Sequence, residues 1–346
     1  MKILRKILYP FSFIYGEIVT IRNKLYDKGI LKSTSFDIPT IVVGNLSVGG
    51  TGKSPQIEYL VRLLHNNYKI AVLSRGYKRK TKGFIIANEN STVKQIGDEP
   101  MQFYRKFNNI IVTVDADRVN GINQLKMLSN KPDIILLDDA YQHRKVEAGF
   151  NILLTPYDNL YVDDTMLPTG DLREKITGAN RAQLIIVTKC PENLTEEEQF
   201  NIADKLQPEI HQTVFFSKIA YAETIKGLKK INIDELCKFK VLLVTGIAKT
   251  KPLCEFLDLK KVDFQHLKYS DHHHFSEKDL VKIQHTFDQI KSDKKLILTT
   301  EKDYVRVFDS TYENVYFLPI ETTFLKDQHD FDTIINSYVE QSSKNS

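Results

Sequence analysis

Two hydrophobic patterns alternate along most of this chain. Short runs of consecutive apolar residues are typical of buried strands in a parallel sheet, and longer stretches with apolar residues three or four positions apart are typical of amphipathic helices. In the first part of the chain the short runs predict strands at 40–44, 69–74, 110–114, 134–138, 151–155 and 184–188. The longer stretches predict helices at 53–66, 98–107, 117–129 and 194–206. Strands bounded by helices predict an α/β fold, a mostly parallel sheet with helices on both faces.

A second alternating set follows later in the chain. It predicts a strand at 241–245, helices near 250–258 and at 276–291, and a strand at 296–300. Ser276 and Asp279 have the spacing of an N-terminal helix cap. We therefore expect a large α/β domain at 32–212, a linker region at 213–240, a smaller α/β domain at 241–340 and a disordered tail at 341–346. The segment 83–86 follows a turn rich in Lys and Arg and predicts an inserted hairpin arm.

Residues 1–31 form a separate N-terminal segment in which basic residues flank an apolar, aromatic stretch. A helix needs roughly 20 apolar residues to cross a bilayer, and this stretch is shorter and is interrupted by Pro10 and Glu17. It does not end in a small-residue cleavage site, so a signal peptide is not expected. Apolar aromatics beside Arg22 and Lys24 favour an amphipathic helix lying in the headgroup layer of a membrane. The alternative is an N-terminal helix packed on its own domain.

Composition narrows the functional classes. A chain of 346 residues can bury a large core, and its formal net charge of +4 is mild and spread out. No nucleic-acid-binding motif is present, so we expect no nucleic-acid partner, and nothing indicates a protein partner. Cys190, Cys237 and Cys254 are far apart and form no C-x-x-C pair, which indicates a reducing compartment.

The candidate chemistry is concentrated between residues 40 and 54. A β-branched run at 41–43 leads into a loop with glycines at 44, 49, 50 and 52, and a helix begins at Lys53. This order predicts a phosphate-binding loop, because glycines let consecutive backbone amides curl around phosphate oxygens at a helix N-terminus. The predicted nucleotide-binding residues are Ser47, Val48, Gly49, Gly50, Thr51, Gly52, Lys53 and Ser54. Ser47 departs from the usual pattern, which has Gly there, and the alternative is a Gly-rich turn with an ordinary surface lysine.

Two carboxylates follow the buried run at 134–137. Asp138 and Asp139 would lie at the carboxyl end of a strand beside the phosphate loop. Enzymes with a phosphate-binding loop hold Mg²⁺ there, together with the hydroxyl of the loop, which in this chain is Ser54. Gln142 and His143 follow closely and would place an amide and an imidazole near the same edge. For His143, a structural and a direct catalytic role are equally compatible with the sequence.

Three other motifs remain ambiguous from the residues alone. Asp98 opens a predicted helix, where an acid often serves only the helix dipole. The histidines at 272–274 could bind metal, although adjacent histidines cannot all face one ion and no Cys/His set has zinc spacing; a catalytic His from the second domain is the other interpretation. Arg75 and Arg173 could each clamp an anionic group or simply lie on the surface.

Taken together and in order, these motifs resemble those of the lipid A 4′-kinase (tetraacyldisaccharide 4′-kinase) family of Gram-negative bacteria. The resemblance spans nearly the whole chain. Its residues are 22–29 (Arg-Asn-x-Leu-Tyr-Asp-x-Gly), 43–55, 74–77 (Ser-Arg-Gly-Tyr), 97–100 (Gly-Asp-Glu-Pro), 138–143 (Asp-Asp-x-x-Gln-His), 167–174, 245–248, 271–273 (Asp-His-His) and 300–303 (Thr-Glu-Lys-Asp).

The resemblance implies a P-loop kinase domain at 32–212 and ATP-dependent phosphorylation of the 4′-hydroxyl of an acylated glucosamine disaccharide 1-phosphate. It further implies that Asp98 is the catalytic base, working with His272, and that Lys53 is catalytic. Asp138 and Asp139 would serve Mg²⁺ with Ser54. The predicted substrate-binding residues are Asn45, Arg75, Tyr77, Gln142, His143 and Arg173. The N-terminal helix would make the protein peripheral on the cytoplasmic face of the inner membrane.

Two other classes stay open at this point. A P-loop GTPase or nucleotide-dependent switch would share the phosphate loop, but it should carry a guanine-reading N-K-x-D motif, of which the segment 300–303 is only a loose imitation. A soluble sugar or cofactor kinase would share the loop and keep the N-terminal helix packed on its own domain.

Overall fold

The computed structural model describes residues 8–271, 273–308 and 312–344, and the chain divides into two compact units. The first unit contains the chain up to Ile219 and again from Thr322 onward, and the second contains Ala220–Glu321. Each unit has its own sheet and its own apolar core.

The helices and strands lie close to the positions predicted from the hydrophobic pattern. The helices are α1 (Tyr9–Asp27), α2 (Lys53–Leu64), α3 (Val93–Ile96), α4 (Asp98–Lys106), α5 (Arg118–Lys126), α6 (Glu196–Leu206), α7 (Lys251–Leu259), α8 (Glu277–Asp288), α9 (Glu301–Val307) and α10 (Gln328–Lys344). The strands are β1 (Thr40–Asn45), β2 (Ile70–Ser74), β3 (Ile85–Ile86), β4 (Ile111–Val114), β5 (Ile134–Asp138), β6 (Phe150–Pro156), β7 (Leu184–Thr188), β8 (Thr213–Tyr221), β9 (Thr224–Lys226), β10 (Lys230–Asn232), β11 (Lys240–Thr245), β12 (Asp263–Lys268), β13 (Lys295–Thr300), β14 (Val315–Leu318) and β15 (Ile320–Phe324).

The sheet of the first unit has the strand order β15-β8-β7-β6-β1-β5-β2-β4-β3 within the described residues. The strands from β4 to β8 in this order pair in parallel, so their carboxyl ends meet at one edge. The central strands β1, β2, β5 and β7 are buried along their whole length, which explains their unbroken apolar runs. Because β5 and β6 flank β1 on opposite sides, the loops that follow these strands surround the loop that follows β1.

The sheet of the second unit has the order β10-β9-β14-β13-β11-β12 among the residues described. Its four strands β12, β11, β13 and β14 are parallel, and β9 and β10 add an antiparallel extension. The expected α/β class with a smaller second unit is therefore confirmed. Strand β12 was not predicted from the sequence because it lies at the sheet edge and its residues are only exposed or half-buried, so no apolar run marks it.

The domain boundaries differ from those predicted. The segment 213–221, expected in a linker, is strand β8 of the first sheet, and the C-terminal helix α10 belongs to the first unit. An apolar stripe of Phe331, Ile335 and Val339 at helical spacing is fully buried. Helix α10 extends to Lys344, into the stretch expected to be a disordered tail. The predicted hairpin arm at 83–86 is instead the edge strand β3, antiparallel to β4.

Candidate active site

The loop between β1 and α2 has the geometry of a phosphate-binding loop. Gly49 and Gly52 adopt positive φ angles of 109° and 95°, which other residues rarely tolerate. Outside the loop, the Lys189 ammonium donates to the carbonyl of Gly50, and the Thr188 hydroxyl donates to the carbonyl of Thr51 over 2.7 Å. In a planar trans peptide the next N–H points opposite to the carbonyl. The amides of Thr51 and Gly52 therefore point away from β7, into the loop.

Lys53, the first residue of α2, lies over the carboxyl edge of the sheet. Its ammonium donates to Asn45 Oδ1 over 3.1 Å and lies 3.8 Å from Asp139 Oδ1. Its side chain is only 12% exposed, so the charge acts in a partly desolvated environment. A cation held at the mouth of a ring of amides can neutralise a polyphosphate.

The two adjacent aspartates have opposite environments. Asp138 is buried at the end of β5; Ser74 Oγ donates to its Oδ2 over 3.0 Å, and no described residue donates to its Oδ1. Burial, and then the nearby charges of Glu99 and Asp139, raise the pKa of Asp138 to about 7. At Asp139 burial also favours the neutral acid, but Lys53 and Arg173 outweigh it and hold the pKa below its ordinary value.

The buried oxygen of Asp138 fits a divalent cation. An unpartnered carboxylate oxygen that is crowded by two further acids has a favourable environment only when a proton or a cation is close. Among the described residues no group of three or more His, Cys, Asp or Glu side chains could hold a metal alone. A site with only one or two carboxylates suits Mg²⁺, because this ion is usually bound by one or two carboxylates together with phosphate oxygens and water.

Two neighbours of Asp138 were not predicted from the sequence. Glu99 is half-buried in the first turn of α4, and its charge contributes to the raised pKa of Asp138. Arg118 is buried, and its Nη2 donates to the carbonyl of Asp138 over 3.2 Å. Burial lowers the pKa of Arg118 to about 10, and the opposing charge of Asp138 partly offsets this effect. The Gly-Asp-Glu-Pro motif was a signal for Glu99, whereas Arg118 had none.

Asp98 is the first residue of α4 and is half-buried. Gly97 before it has a φ of 94°, and a Cβ there would lie 3.2 Å from the carbonyl oxygen of Tyr77. The turn after β2 therefore packs directly against Gly97, the residue that precedes α4. Arg75 and Tyr77 are exposed on this turn, at the carboxyl end of β2. The structure thus brings the motifs 74–77 and 97–100 together.

The segment 164–174 pairs with the start of the phosphate loop. The amide of Val48 donates to Asp171 O and the amide of Arg173 donates to Leu46 O, both over 2.7 Å. Arg173 Nη2 donates to Asn45 Oδ1 over 2.6 Å and to Asp139 Oδ1 over 2.9 Å. Arg173, Asn45, Asp139 and Lys53 therefore form one connected polar cluster beside the loop.

Glu174 links this cluster to the N-terminal helix. It is fully buried; Arg181 donates to both of its oxygens over 2.9 Å, and Gln142 Nε2 donates to Oε1 over 2.8 Å. Asn23 of α1 donates to Oε2 over 2.9 Å. Gln142 also donates to the carbonyl of Asn45 over 2.9 Å. Glu174 lies in one of the sequence motifs, but its role cannot be predicted from the sequence because two of its partners, Asn23 and Gln142, are far away along the chain.

His143 lies apart from its neighbour Gln142. It lines a cavity of about 640 Å³ together with Tyr26 and Arg144, and no residue of the phosphate loop lines that cavity. Its Nε2 is buried without a partner among the described residues. Burial, and then Arg118, lower the pKa of His143 to about 4, so its imidazole is neutral at physiological pH.

Helix α1 has two different faces. Its inner face packs on the segment 164–174: the hydroxyls of Ser12 and Thr169 are 2.7 Å apart, and Tyr15 donates to the carbonyl of Arg173 over 3.0 Å. Its outer face exposes more than half of each of six large apolar side chains, Tyr9, Phe11, Phe13, Ile14, Ile18 and Ile21. No helix in the described part of the chain is long and apolar enough to span a bilayer.

The histidine cluster belongs to the second unit. His272 lies outside the described residues, so its predicted role stays a prediction. His273 Nε2 is 3.1 Å from Asp279 Oδ2, and its ring contacts the rings of Tyr269 and Phe275, which also contact each other. Hydrogen bonds from Ser276, then from His273, lower the pKa of Asp279 to about 2. His274 is exposed. His273 therefore has a structural partner in the cap of α8.

Comparisons with known proteins give matches that cover nearly the whole chain. The family model "Tetraacyldisaccharide-1-P 4′-kinase" matches residues 4–340. The chain is 56% identical over 343 residues to a tetraacyldisaccharide 4′-kinase of Flavobacterium johnsoniae, with 99% of each chain covered. It is 43% identical to one of Bacteroides thetaiotaomicron, covering 99% of this chain and 95% of that one. The crystal structure of LpxK from Aquifex aeolicus in complex with ATP matches with a TM-score of 0.78 and 29% identity, covering 97% of this chain and 99% of that chain.

Proposed function

Because the chain belongs to the tetraacyldisaccharide-1-P 4′-kinase family, and is thereby an ATP-dependent kinase of lipid A biosynthesis, we propose which of its residues carry out the transfer. The reaction moves the γ-phosphoryl group of ATP to the 4′-hydroxyl of an acylated glucosamine disaccharide 1-phosphate. The observation that carries the assignment is the convergence of the loop amides, Lys53 and the buried oxygen of Asp138 at one edge of the first sheet.

The nucleotide is held by the loop of residues 47–54. Its inward amides bind the phosphate chain, and Lys53 neutralises the charge that spreads over the transferred group. Asn45 accepts a hydrogen bond from the Lys53 ammonium and Asp139 forms an ion pair with it, so the direction of this side chain is fixed before the nucleotide binds. Preorganised charge of this kind lowers the barrier because it needs no rearrangement during the reaction.

Mg²⁺ would be held by Asp138 and the Ser54 hydroxyl, with Asp139 beside them. When bound, the ion supplies charge neutralisation for the phosphate oxygens. The protein's own contribution is to bury Asp138 and to orient it. Ser74 donates to one carboxylate oxygen, and the other has no partner among the described residues.

Asp98 is the proposed base that accepts the proton of the acceptor hydroxyl. Its place at the start of α4, against the turn of Tyr77, puts a carboxylate at the same sheet edge as Asp138. His272 is proposed to work with Asp98 by stabilising the ionised base, as the family motif implies. Phosphoryl transfer is loose, so the base mainly orients the hydroxyl toward the phosphorus.

The sugar and its phosphate are proposed to contact a set of residues around this edge, which are Asn45, Arg75, Tyr77, Gln142, His143 and Arg173. Arg75 and Tyr77 are exposed and can reach an acceptor directly. Asn45 and Gln142 are engaged with Arg173 and Glu174, so they would act by fixing the Arg173 guanidinium. The neutral imidazole of His143 would meet its part of the lipid in the neighbouring cavity.

We propose that the outer face of α1 binds the cytoplasmic surface of the inner membrane. Six exposed apolar side chains at helical spacing, with basic residues following them, suit insertion to the headgroup boundary. The inner face of the same helix contacts the segment that carries Arg173. A lipid that leaves the bilayer beside α1 would therefore reach the candidate active site while it is still in contact with this helix.

The direct test is transfer of labelled γ-phosphate from ATP to a purified acylated disaccharide 1-phosphate in mixed micelles. We expect lipid-dependent labelling that survives mild acid, because a 4′-phosphate ester is stable where an anomeric phosphate is cleaved. Absence of labelled lipid, or nucleotide hydrolysis that prefers GTP and ignores the lipid, would contradict the assignment. A variant with Phe11, Ile14 and Ile18 changed to Ser tests the membrane surface by flotation with anionic vesicles.

A further inference from the structure

A buried ionic cluster joins the helix of the phosphate loop to the helix of Asp98. Glu58 on α2 is 1% exposed. Its Oε1 accepts a hydrogen bond from Gln102 Nε2 over 2.8 Å, and its Oε2 accepts one from Lys106 Nζ over 2.6 Å. Gln102 and Lys106 both lie on α4, so a single carboxylate bridges the two helices.

Stability alone does not explain this cluster. A buried ion pair is often no more stabilising than a well-packed apolar pair, because both charges lose their hydration. Its hydrogen bonds, however, are directional, so they fix how far one helix can slide along the other. Apolar side chains at the same positions would allow more sliding. The cluster therefore specifies a register between α2 and α4.

The register matters because of what lies one turn away. On α2, Ser54 precedes Glu58 by four residues, and on α4, Asp98 precedes Gln102 by four residues. Residues four apart share a helix face and are separated by about 6 Å along the axis. Helix α2 follows β1 and helix α4 precedes β4, so both run away from the carboxyl edge of the sheet. The Glu58 cluster thus sets Asp98 level with Ser54.

We propose that Glu58 is a positioning residue, which holds Asp98 at its working distance from the nucleotide by locking α4 against α2. The inference rests on the role proposed above for Asp98. Loss of the lock would leave the phosphate loop intact, because Lys53 and the loop carbonyls are held by Asn45, Thr188 and Lys189. The base alone would be misplaced, and a displacement of about 1 Å is enough to slow a positioned reaction by up to about 10²-fold.

The test compares Glu58→Gln with a matched control, Arg62→Gln. Arg62 lies one turn further along the same face, 3.8 Å from Glu58, and is 30% exposed, so its removal changes the surroundings of Glu58 and leaves the bridge to α4 in place. We expect Glu58→Gln to lower kcat about 10-fold or more with the Kd of a non-hydrolysable ATP analogue within about threefold of wild type. Arg62→Gln should leave both within about twofold.

A double variant distinguishes positioning from general structure. If Glu58 acts through Asp98, adding Glu58→Gln to Asp98→Asn should cause no further loss of kcat. A further 10-fold loss in that background would show that Glu58 acts elsewhere and would overturn the proposal. An Asp98→Asn variant with wild-type kcat would instead reject the proposed base, and this inference with it.

A second variant covers poor folding of Glu58→Gln. Glu58→Leu combined with Gln102→Leu and Lys106→Met replaces the bridging carboxylate and both of its partners on α4 by apolar groups of similar size, an exchange that folded proteins often tolerate. We expect it to unfold at or above the wild-type temperature and still to lose about 10-fold in kcat. Wild-type kcat in this folded variant, while Asp98→Asn is impaired, would overturn the positioning role and leave the proposed function standing.

Discussion

The two units each contain a loop that leads from a central parallel strand into a helix, and the two loops handle negative charge in opposite ways. In the first, between β1 and α2, carbonyls are held from outside and Lys53 adds a positive charge at the helix start. In the second, between β11 and α7, the amide of Gly246 donates over 2.9 Å to Asp303, a fully buried carboxylate of the same unit. The second loop already contains its anion.

The lysines that begin the two helices show the same contrast. Lys53 is 12% exposed and is held by Asn45. Lys251, in the equivalent first position of α7, is 85% exposed and lies 3.5 Å from Glu255 one turn along its own helix. The same strand–loop–helix topology therefore places cations at one loop and a buried carboxylate in the other, depending on a few side chains.

The largest effect is expected at Asp138. Asp138→Asn keeps the shape of the buried side chain but removes the charge that would hold Mg²⁺, so kcat should fall on the order of 10³-fold. The folded protein should be no less stable, because an unpaired buried charge is removed. Steady-state transfer kinetics and thermal unfolding measure both quantities. A kcat within tenfold of wild type would remove Asp138 from the site.

Lys53→Met should lower kcat/KM for ATP by about 10²-fold or more, because the apolar side chain cannot neutralise the phosphate chain. Lys251→Met is the matched control in the second loop and should change kcat/KM by less than about twofold, as expected for an exposed helical ion pair. Equal losses in the two variants would mean that the loops do not differ in the way described.

Asp303→Ala tests the structural role of the second loop. It would leave the amide of Gly246 and the guanidinium of Arg306 without their buried partner, which costs about 3 kcal/mol of unfolding free energy. Urea unfolding should show this loss, while the folded variant should still bind ATP with wild-type affinity. A variant of wild-type stability would indicate that Asp303 is available for chemistry instead.

The smallest effect concerns pH. The folded protein raises the pKa of Asp138 to about 7, above the value of about 4 expected when unfolded, so between these values the folded state binds more protons. The stability of the nucleotide-free protein should therefore fall as pH rises from about 4 to about 7. Asp138→Asn lacks this effect, so its unfolding temperature relative to wild type should rise between pH 5 and pH 8. Parallel curves would contradict the raised pKa.

Much of the first loop could be predicted because its signals are local. A buried strand, glycines and the Gly-Lys-Ser sequence are contiguous, and Asp138 directly follows an apolar run. The loop after Gly246 has no Gly-Lys pair, so these local signals do not predict a phosphate loop there. They also cannot reveal that Asp303 fills that loop, because the pairing joins residues 57 positions apart in the chain.

What the sequence did not reveal depends on tertiary packing. Arg118 and Glu174 look like ordinary surface residues until burial brings them to Asp138 and Gln142. The predicted domain boundary was wrong because α10 belongs to the first unit. Its apolar stripe is buried in a core that is formed mostly by residues much earlier in the chain. The inner face of α1 is marked mainly by small or polar residues such as Ser12 and Gly16, so the aromatic outer face dominated the sequence pattern.

The most direct test of the contrast between the two loops is the stoichiometry of binding of a non-hydrolysable ATP analogue with Mg²⁺, measured by isothermal titration calorimetry. We expect one nucleotide per chain, an affinity weakened about tenfold or more by Lys53→Met, and unchanged stoichiometry and affinity in Lys251→Met. Two nucleotides per chain, or wild-type affinity in Lys53→Met, would show that the two loops do not differ in this way.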